Sequence, residues 1–153
     1  MPVSVIADTG AMDDAISNDI LGCARDALVD LLPEVWGVYV HGSFARGDAR
    51  PDSDLDLAVL LPPDPVVEEP WELAEKLAIR VGRDVDLVDL RQASDVLRMQ
   101  VLEDGQELYN ARPGEVLAWE SQAMTRYGHY RREVAGLVEQ FRETGIGYAG
   151  SRQ

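Results

Sequence analysis

Asp54 and Asp56 stand one residue apart in "SDLDLAVL", eleven positions after a Gly42-Ser43 pair. Strand side chains alternate between faces, so these two acids project together while Leu55 and Leu57 turn the other way. Two carboxylates at about 4 Å repel by roughly 1 kcal/mol even in water, and by more near a protein surface. A divalent cation between them reverses that cost. Mg²⁺ takes one or two carboxylates, keeps waters and recruits substrate phosphates, so the pair suits the holding of a nucleotide's phosphates through metal. Asp86, between Val85 and Leu87 in "DVDLVDL", has the same alternating setting and is the candidate third acid. Asp84 and Asp89 lie close by, and a one-residue change of register would alter that choice.

The Gly-Ser turn offers the complementary half of such a site. Glycine lets backbone approach a phosphate closely, and a strand running into a helix start presents free N–H groups and the positive end of the dipole. Ser43 adds a hydroxyl. Arg46 is placed either to contact phosphate or to pair with surface acids, while Ser53 is expected to shape the turn into the strand. His41 adjoins the site and belongs to the residue type that titrates near neutrality; a structural histidine with satisfied partners is the expectation. His129 and Cys23 are read as structural.

These residues need a small sheet to hold them. Apolar residues at Ile16, Ile20, Cys23, Ala24, Ala27, Leu28 and Leu31 mark a helix over about 13–32, closed by Pro33. Strands are expected at 35–40, 54–61 and 84–90. A helix opening at Pro70 and ending at Gly82 would turn Trp71, Ala74, Leu77, Ala78 and Val81 inward. Ser94 or Asp95 caps a short helix ending at Gly105, "QELYN" forms an edge strand, and a long helix runs over about 114–143. The link between 41 and 54 is too short for a crossover helix with its loops, so the first two strands are antiparallel neighbours. The fold class is α+β, a small mixed sheet backed by helices. One domain over 12–145 lies between expected tails at 1–11 and 146–153.

Along the last helix Trp119, Tyr127, Tyr130 and Phe141, with Val116, Ala123, Val134 and Leu137, read first as core. Its length exceeds what the sheet needs, so part of it is expected to dock a partner. Arg126, Arg131, Arg132 and Arg142 are described as a solvated face.

The totals narrow the function. With 28 acidic and 14 basic residues the formal net charge is −14, which opposes binding to a nucleic-acid backbone and suits a basic protein or a cationic small molecule. One cysteine makes no internal disulfide, and two isolated histidines make no zinc spacing. No segment approaches 18 apolar residues, so no membrane span is expected and the reading is a soluble, cytoplasmic protein.

"GSFARGDARPDSDLDLAVLL" resembles the Gly-Ser…Asp-x-Asp signature of the DNA polymerase β-like nucleotidyltransferase superfamily, and within it the minimal nucleotidyltransferase (MNT) group. "ARG" after Gly-Ser, "SDLDL", "DVDLVDL", "EDGQELY" and the long terminal helix carry the resemblance over most of 12–143. It implies a polymerase β palm-like fold and a two-Mg²⁺ transfer of a nucleoside monophosphate from a triphosphate, with release of pyrophosphate. Gly42 and Ser43, with Arg46, would bind the nucleotide. Asp54 and Asp56 would ligate both ions, and Asp86 would ligate one and help deprotonate the acceptor. Stand-alone members of this size are similar to antitoxins encoded beside HEPN-domain ribonuclease toxins, which transfer AMP from ATP to a toxin tyrosine within a hetero-oligomer. Aminoglycoside nucleotidyltransferases share the signature but usually carry a larger second domain for the acceptor. A non-catalytic antitoxin acting by contact alone is the third reading. His41 departs from the apolar or aromatic residue usual before Gly-Ser.

Overall fold

A computed structural model describes residues 11–65 and 68–144. The two expected tails fall outside these residues, Ala11 excepted. The first helix, α1 (Asp14–Leu31), starts where the Asp13 carboxylate accepts the Ala15 N–H, an N-cap that satisfies one orphan donor. It is followed by strand β1 (Gly37–His41), a single helical turn α2 (Gly42–Arg46) and strand β2 (Leu55–Leu60). Helix α3 (Pro70–Val81) carries its proline in the first turn and ends at Gly82 with φ of 80°. Strand β3 (Val85–Asp89), helix α4 (Asp95–Asp104) capped by Ser94, strand β4 (Gln106–Asn110) and helix α5 (Pro113–Thr144) complete the chain. No helix among the described residues is long and apolar enough to cross a membrane.

The strands form one sheet in the order β3-β2-β1-β4. β1 runs antiparallel to both β2 and β4, whereas β2 and β3 are parallel and joined through α3, as a parallel pair requires. Alternation along the strands divides the core between two faces. Val38, Val40, Leu55, Leu57, Val59 and Leu87 point to one, where Ala24 and Leu28 of α1 and Leu73 and Leu77 of α3 close over them. Tyr39, Ala58, Leu60 and Leu90 point to the other, covered by Val101 of α4 and Val116 of α5.

In three helices the inward face differs from expectation. Trp71 is 61% exposed, and Leu73 with Leu77 forms the buried line instead. Two residues make roughly 200° of helical rotation, so the face that buries Leu73 turns Trp71 outward. In α1, Ile16 and Cys23 are exposed and the contact face centres on Leu21, Ala24 and Leu28. In α5, Val116 and Ala123 are buried and Trp119 and Tyr127 half-buried, but Val134, Leu137, Val138 and Phe141 are exposed. Core packing therefore accounts for the first half of that helix only.

Candidate active site

The sheet register sets out the acids. His41 lies opposite Asp56 across β1 and β2, and Asp56 lies beside Asp86 across β2 and β3. Register partners share a face, and neighbouring strands are about 4.8 Å apart, so the three side chains form a row across three strands. Asp54 sits two residues before Asp56, just ahead of β2, close enough for its charge to act on the Asp56 carboxyl. This row occupies the end of the less covered face, beyond Tyr39, Ala58 and Leu60. Asp54 and Asp86 are exposed, while Asp56 is half-buried.

Burial holds the Asp56 carboxyl above the usual carboxylate range. The nearby charges of Asp86 and Asp54 raise it further, and those of His41 and Arg46 oppose them. Among the described residues no lysine or arginine forms an ion pair with Asp54, Asp56 or Asp86. Nor does any group of three or more His, Cys, Asp and Glu among them close into a metal-holding set. A half-buried carboxylate with two acidic neighbours and no cationic pair fits a divalent cation, which would supply the missing charge.

The Gly-Ser turn lies directly on this row. Gly42 has φ of +68°, and a Cβ built there would fall 2.1 Å from Asp56 Oδ2. Only glycine satisfies both the backbone conformation and the approach of main chain to carboxylate. Gly42 and Ser43 open α2, whose N-cap residue His41 supplies no side-chain hydrogen bond to its first N–H groups. Phe44 is buried and anchors the turn, and Gln106 Nε2 donates to the Ala45 carbonyl at 3.1 Å. Ser53 shapes the opposite loop: its Oγ accepts the Arg50 N–H at 2.8 Å. Arg46 is exposed and pairs with Asp48 at 3.4 Å.

Two residues depart from, or were absent from, the sequence reading. The expected satisfied histidine is not seen: His41 Nε2 is buried and has no hydrogen-bond partner. Arg83 carried no sequence signal, yet its guanidinium lies 5.2 Å above the Phe44 ring and donates to the Ser53 carbonyl at 2.9 Å. It ties the Gly-Ser turn to the loop that precedes β2. Its only trace in the sequence is a basic residue three positions before Asp86.

Residues 27–113, from α1 through the start of α5, match the family model described as "Polymerase beta, Nucleotidyltransferase". The chain belongs to this nucleotidyltransferase family. It is 36% identical over 128 residues to the protein adenylyltransferase MntA of Shewanella oneidensis, an alignment covering 84% of this chain and 88% of that protein. Among solved structures, a toxin-antitoxin with AMP-PNP matches at 33% identity and a TM-score of 0.68, covering 78% of this nucleotidyltransferase and 96% of that chain. A tri-AMPylated S. oneidensis HEPN toxin in complex with MNT antitoxin matches at 29% identity and a TM-score of 0.65, covering 81% and 97%. The nucleotidyltransferase fold, with its mixed sheet and long C-terminal helix, is thus the fold of the acids' scaffold.

Proposed function

We propose that this nucleotidyltransferase is the antitoxin of a HEPN/MNT pair and a protein adenylyltransferase that moves AMP from ATP onto a tyrosine of its HEPN-domain toxin. The observation that carries the reading is the row His41–Asp56–Asp86 lying against a glycine that has no room for a Cβ. The similarity to MntA, and to an antitoxin structure with AMP-PNP, supplies the reaction class and the nucleotide. The HEPN toxin complex supplies the partner.

In this reading Gly42 and Ser43 hold the triphosphate through main-chain N–H groups and a hydroxyl, and Arg46 swings from Asp48 to phosphate. Asp54 and Asp56 would hold two Mg²⁺ ions and Asp86 one of them; metal bound there would supply positive charge against the phosphates and the developing oxyanions. The phenolic oxygen attacks the α-phosphorus. Its new O–P bond replaces the bond to the β-phosphate oxygen, pyrophosphate departs, and Asp86 takes the phenolic proton before passing it to solvent. Arg83 and Phe44 keep the turn fixed while this happens, which is the main catalytic task left to protein when the chemistry is positioning. The net charge of −14 suits a basic, RNA-cleaving partner. Residues 12–145 act as one domain, in the cytoplasm.

Incubation with α-labelled ATP, Mg²⁺ and the HEPN-domain protein from the adjacent gene tests this. Label should reach a toxin tyrosine, and Asp54→Asn with Asp56→Asn should abolish both transfer and neutralisation. Full neutralisation by the double variant with no label moved would establish inhibition by contact instead.

A further inference from the structure

The row of acids ends at a sheet edge. Among the described residues β3 is hydrogen-bonded on one side only, to β2. The Asp84 carbonyl accepts the Leu55 N–H and the Leu90 N–H donates to the Val59 carbonyl. By alternation Asp86 and Val88 also turn their backbone groups inward, so Val85, Leu87 and Asp89 present theirs to the outside. Beside this edge runs a groove of about 600 Å³ between β3 and α3, lined by Trp71, Ala74 and Ala78 among others. Trp71 is 61% exposed. A tryptophan left open beside small residues and an unpaired strand is a site for another chain. Glu75, Asp84 and Asp86 border it. Those charges repel a second copy of this acidic protein and favour a segment with basic residues.

We propose that the acceptor segment of the protein substrate adds to β3 as a fifth strand, with its tyrosine opposite Asp86. This rests on the transferase reading above. An antiparallel segment would hydrogen-bond Val85 and Leu87, leaving the residue opposite Asp86 at a non-hydrogen-bonded position, where facing side chains are closest. That residue projects onto the face that carries Asp86 and Asp56. The row of His41, Asp56 and Asp86 then gains the phenol as its next member. The residues on either side of the tyrosine point to the other face, into the groove under Trp71, and should be apolar. Flanking lysines or arginines meet Glu75 and Asp84. Trp71 is thus a positioning residue for the acceptor, and the specificity it confers is for an extended apolar–Tyr–apolar segment with basic flanks.

The test uses the full chain, labelled ATP, Mg²⁺ and two peptides, Lys-Lys-Val-Tyr-Val-Lys-Lys and Glu-Glu-Val-Tyr-Val-Glu-Glu. The first should be labelled with a KM at least about tenfold below the second. Trp71→Ala should raise its KM about tenfold, the scale of losing one central tryptophan anchor. Val85→Pro, which removes one outward N–H at the first strand position, should do likewise. AMP-PNP affinity reports that both variants are folded and should not change. In the unaltered protein the basic peptide should slow hydrogen exchange at the Val85 and Leu87 amides. Labelling with neither slowed exchange nor a KM response to Trp71→Ala overturns the proposal while leaving the transferase reading intact. Slowed exchange with no label on any acceptor upholds the docking edge and counts against the transferase reading. Neither label nor protection at millimolar peptide overturns the proposal.

Discussion

The two faces of the sheet are built from the same strands and treated in opposite ways. On one, Leu55, Leu57, Val59, Val38 and Val40 are sealed beneath α1 and α3, and Leu28, Leu55, Leu57 and Leu77 have no accessible surface. On the other, α4 and the first turns of α5 cover Tyr39, Ala58, Leu60 and Leu90 but stop short of His41, Asp56 and Asp86. One residue step along β2 therefore separates a sealed leucine from a half-buried carboxylate. Stability is concentrated on the first face, which leaves the second free to hold charges that oppose folding. The difference shows how a small domain can tolerate Asp54, Asp56 and Asp86 close together: their repulsion is set against a core they do not interrupt.

The sharpest way to break this contrast is Asp56→Asn. Transfer should fall by on the order of a thousandfold or more, the scale of removing a principal electrostatic group from a polar active site. Stability should rise in the same protein. Because the folded state holds the Asp56 carboxyl above its usual value, the folded form binds the proton more tightly than the unfolded chain. Its contribution is favourable below the unfolded value and is lost as pH rises through the folded one. Metal-free wild type should accordingly lose stability relative to Asp56→Asn as pH rises above the ordinary carboxylate range, as followed by thermal melts in chelator. A variant less stable than wild type at neutral pH would mean that the carboxylate has a hidden partner.

Leu57→Ala examines the sealed face one residue away. Leu57 has no accessible surface, and truncation there should cost about 2–5 kcal/mol in denaturant melts, with nucleotide affinity retained under conditions where the variant is folded. Gly42→Ala, next in size, should join the two faces' effects in one variant. The φ of +68° costs a non-glycine residue roughly 1–2 kcal/mol, and the new methyl must displace the Asp56 carboxylate from 2.1 Å. Both a lowered melting temperature and a loss of transfer are expected, whereas Gly47→Ala, with φ of 82° and nothing near its Cβ, should lower the melting temperature alone.

Much of this arrangement was legible in the residues, and the limits of that legibility have a common cause. Period-two alternation placed Asp54 and Asp56 together, loop length made β1 and β2 antiparallel, and the Val-Asp-Leu setting singled out Asp86, which β3 then set in register with Asp56. All of these follow from local geometry. Trp71 was misplaced because a helical pattern containing Trp71, Leu73, Ala74, Leu77 and Ala78 fits two stripes, and only the sheet beneath decides between them. His41 and Arg83 depend on contacts across strands and loops: one nitrogen left unpartnered in the row, one guanidinium bridging Phe44 and Ser53. No periodicity encodes either.

The smallest expected effect lies at the end of α5, where the same apolar seam that buries Val116 and Ala123 continues as exposed Val134, Leu137 and Phe141. Periodicity shows that a seam exists but not what covers it. If the protein's own fold did so, Leu137→Ser would cost several kcal/mol, as burial of a leucine is worth about 1.5–3 kcal/mol before any cavity term. With Leu137 at 51% exposure, the expected change in the isolated protein is within about 0.5 kcal/mol, against about 2–5 kcal/mol for Leu57→Ala. The ratio of these two melts measures how unequally one helix and one strand share the core. A large loss from Leu137→Ser would show the distal turns folded back onto the domain in solution. A negligible one, with weakened toxin binding, would show that the seam's cover comes from the partner.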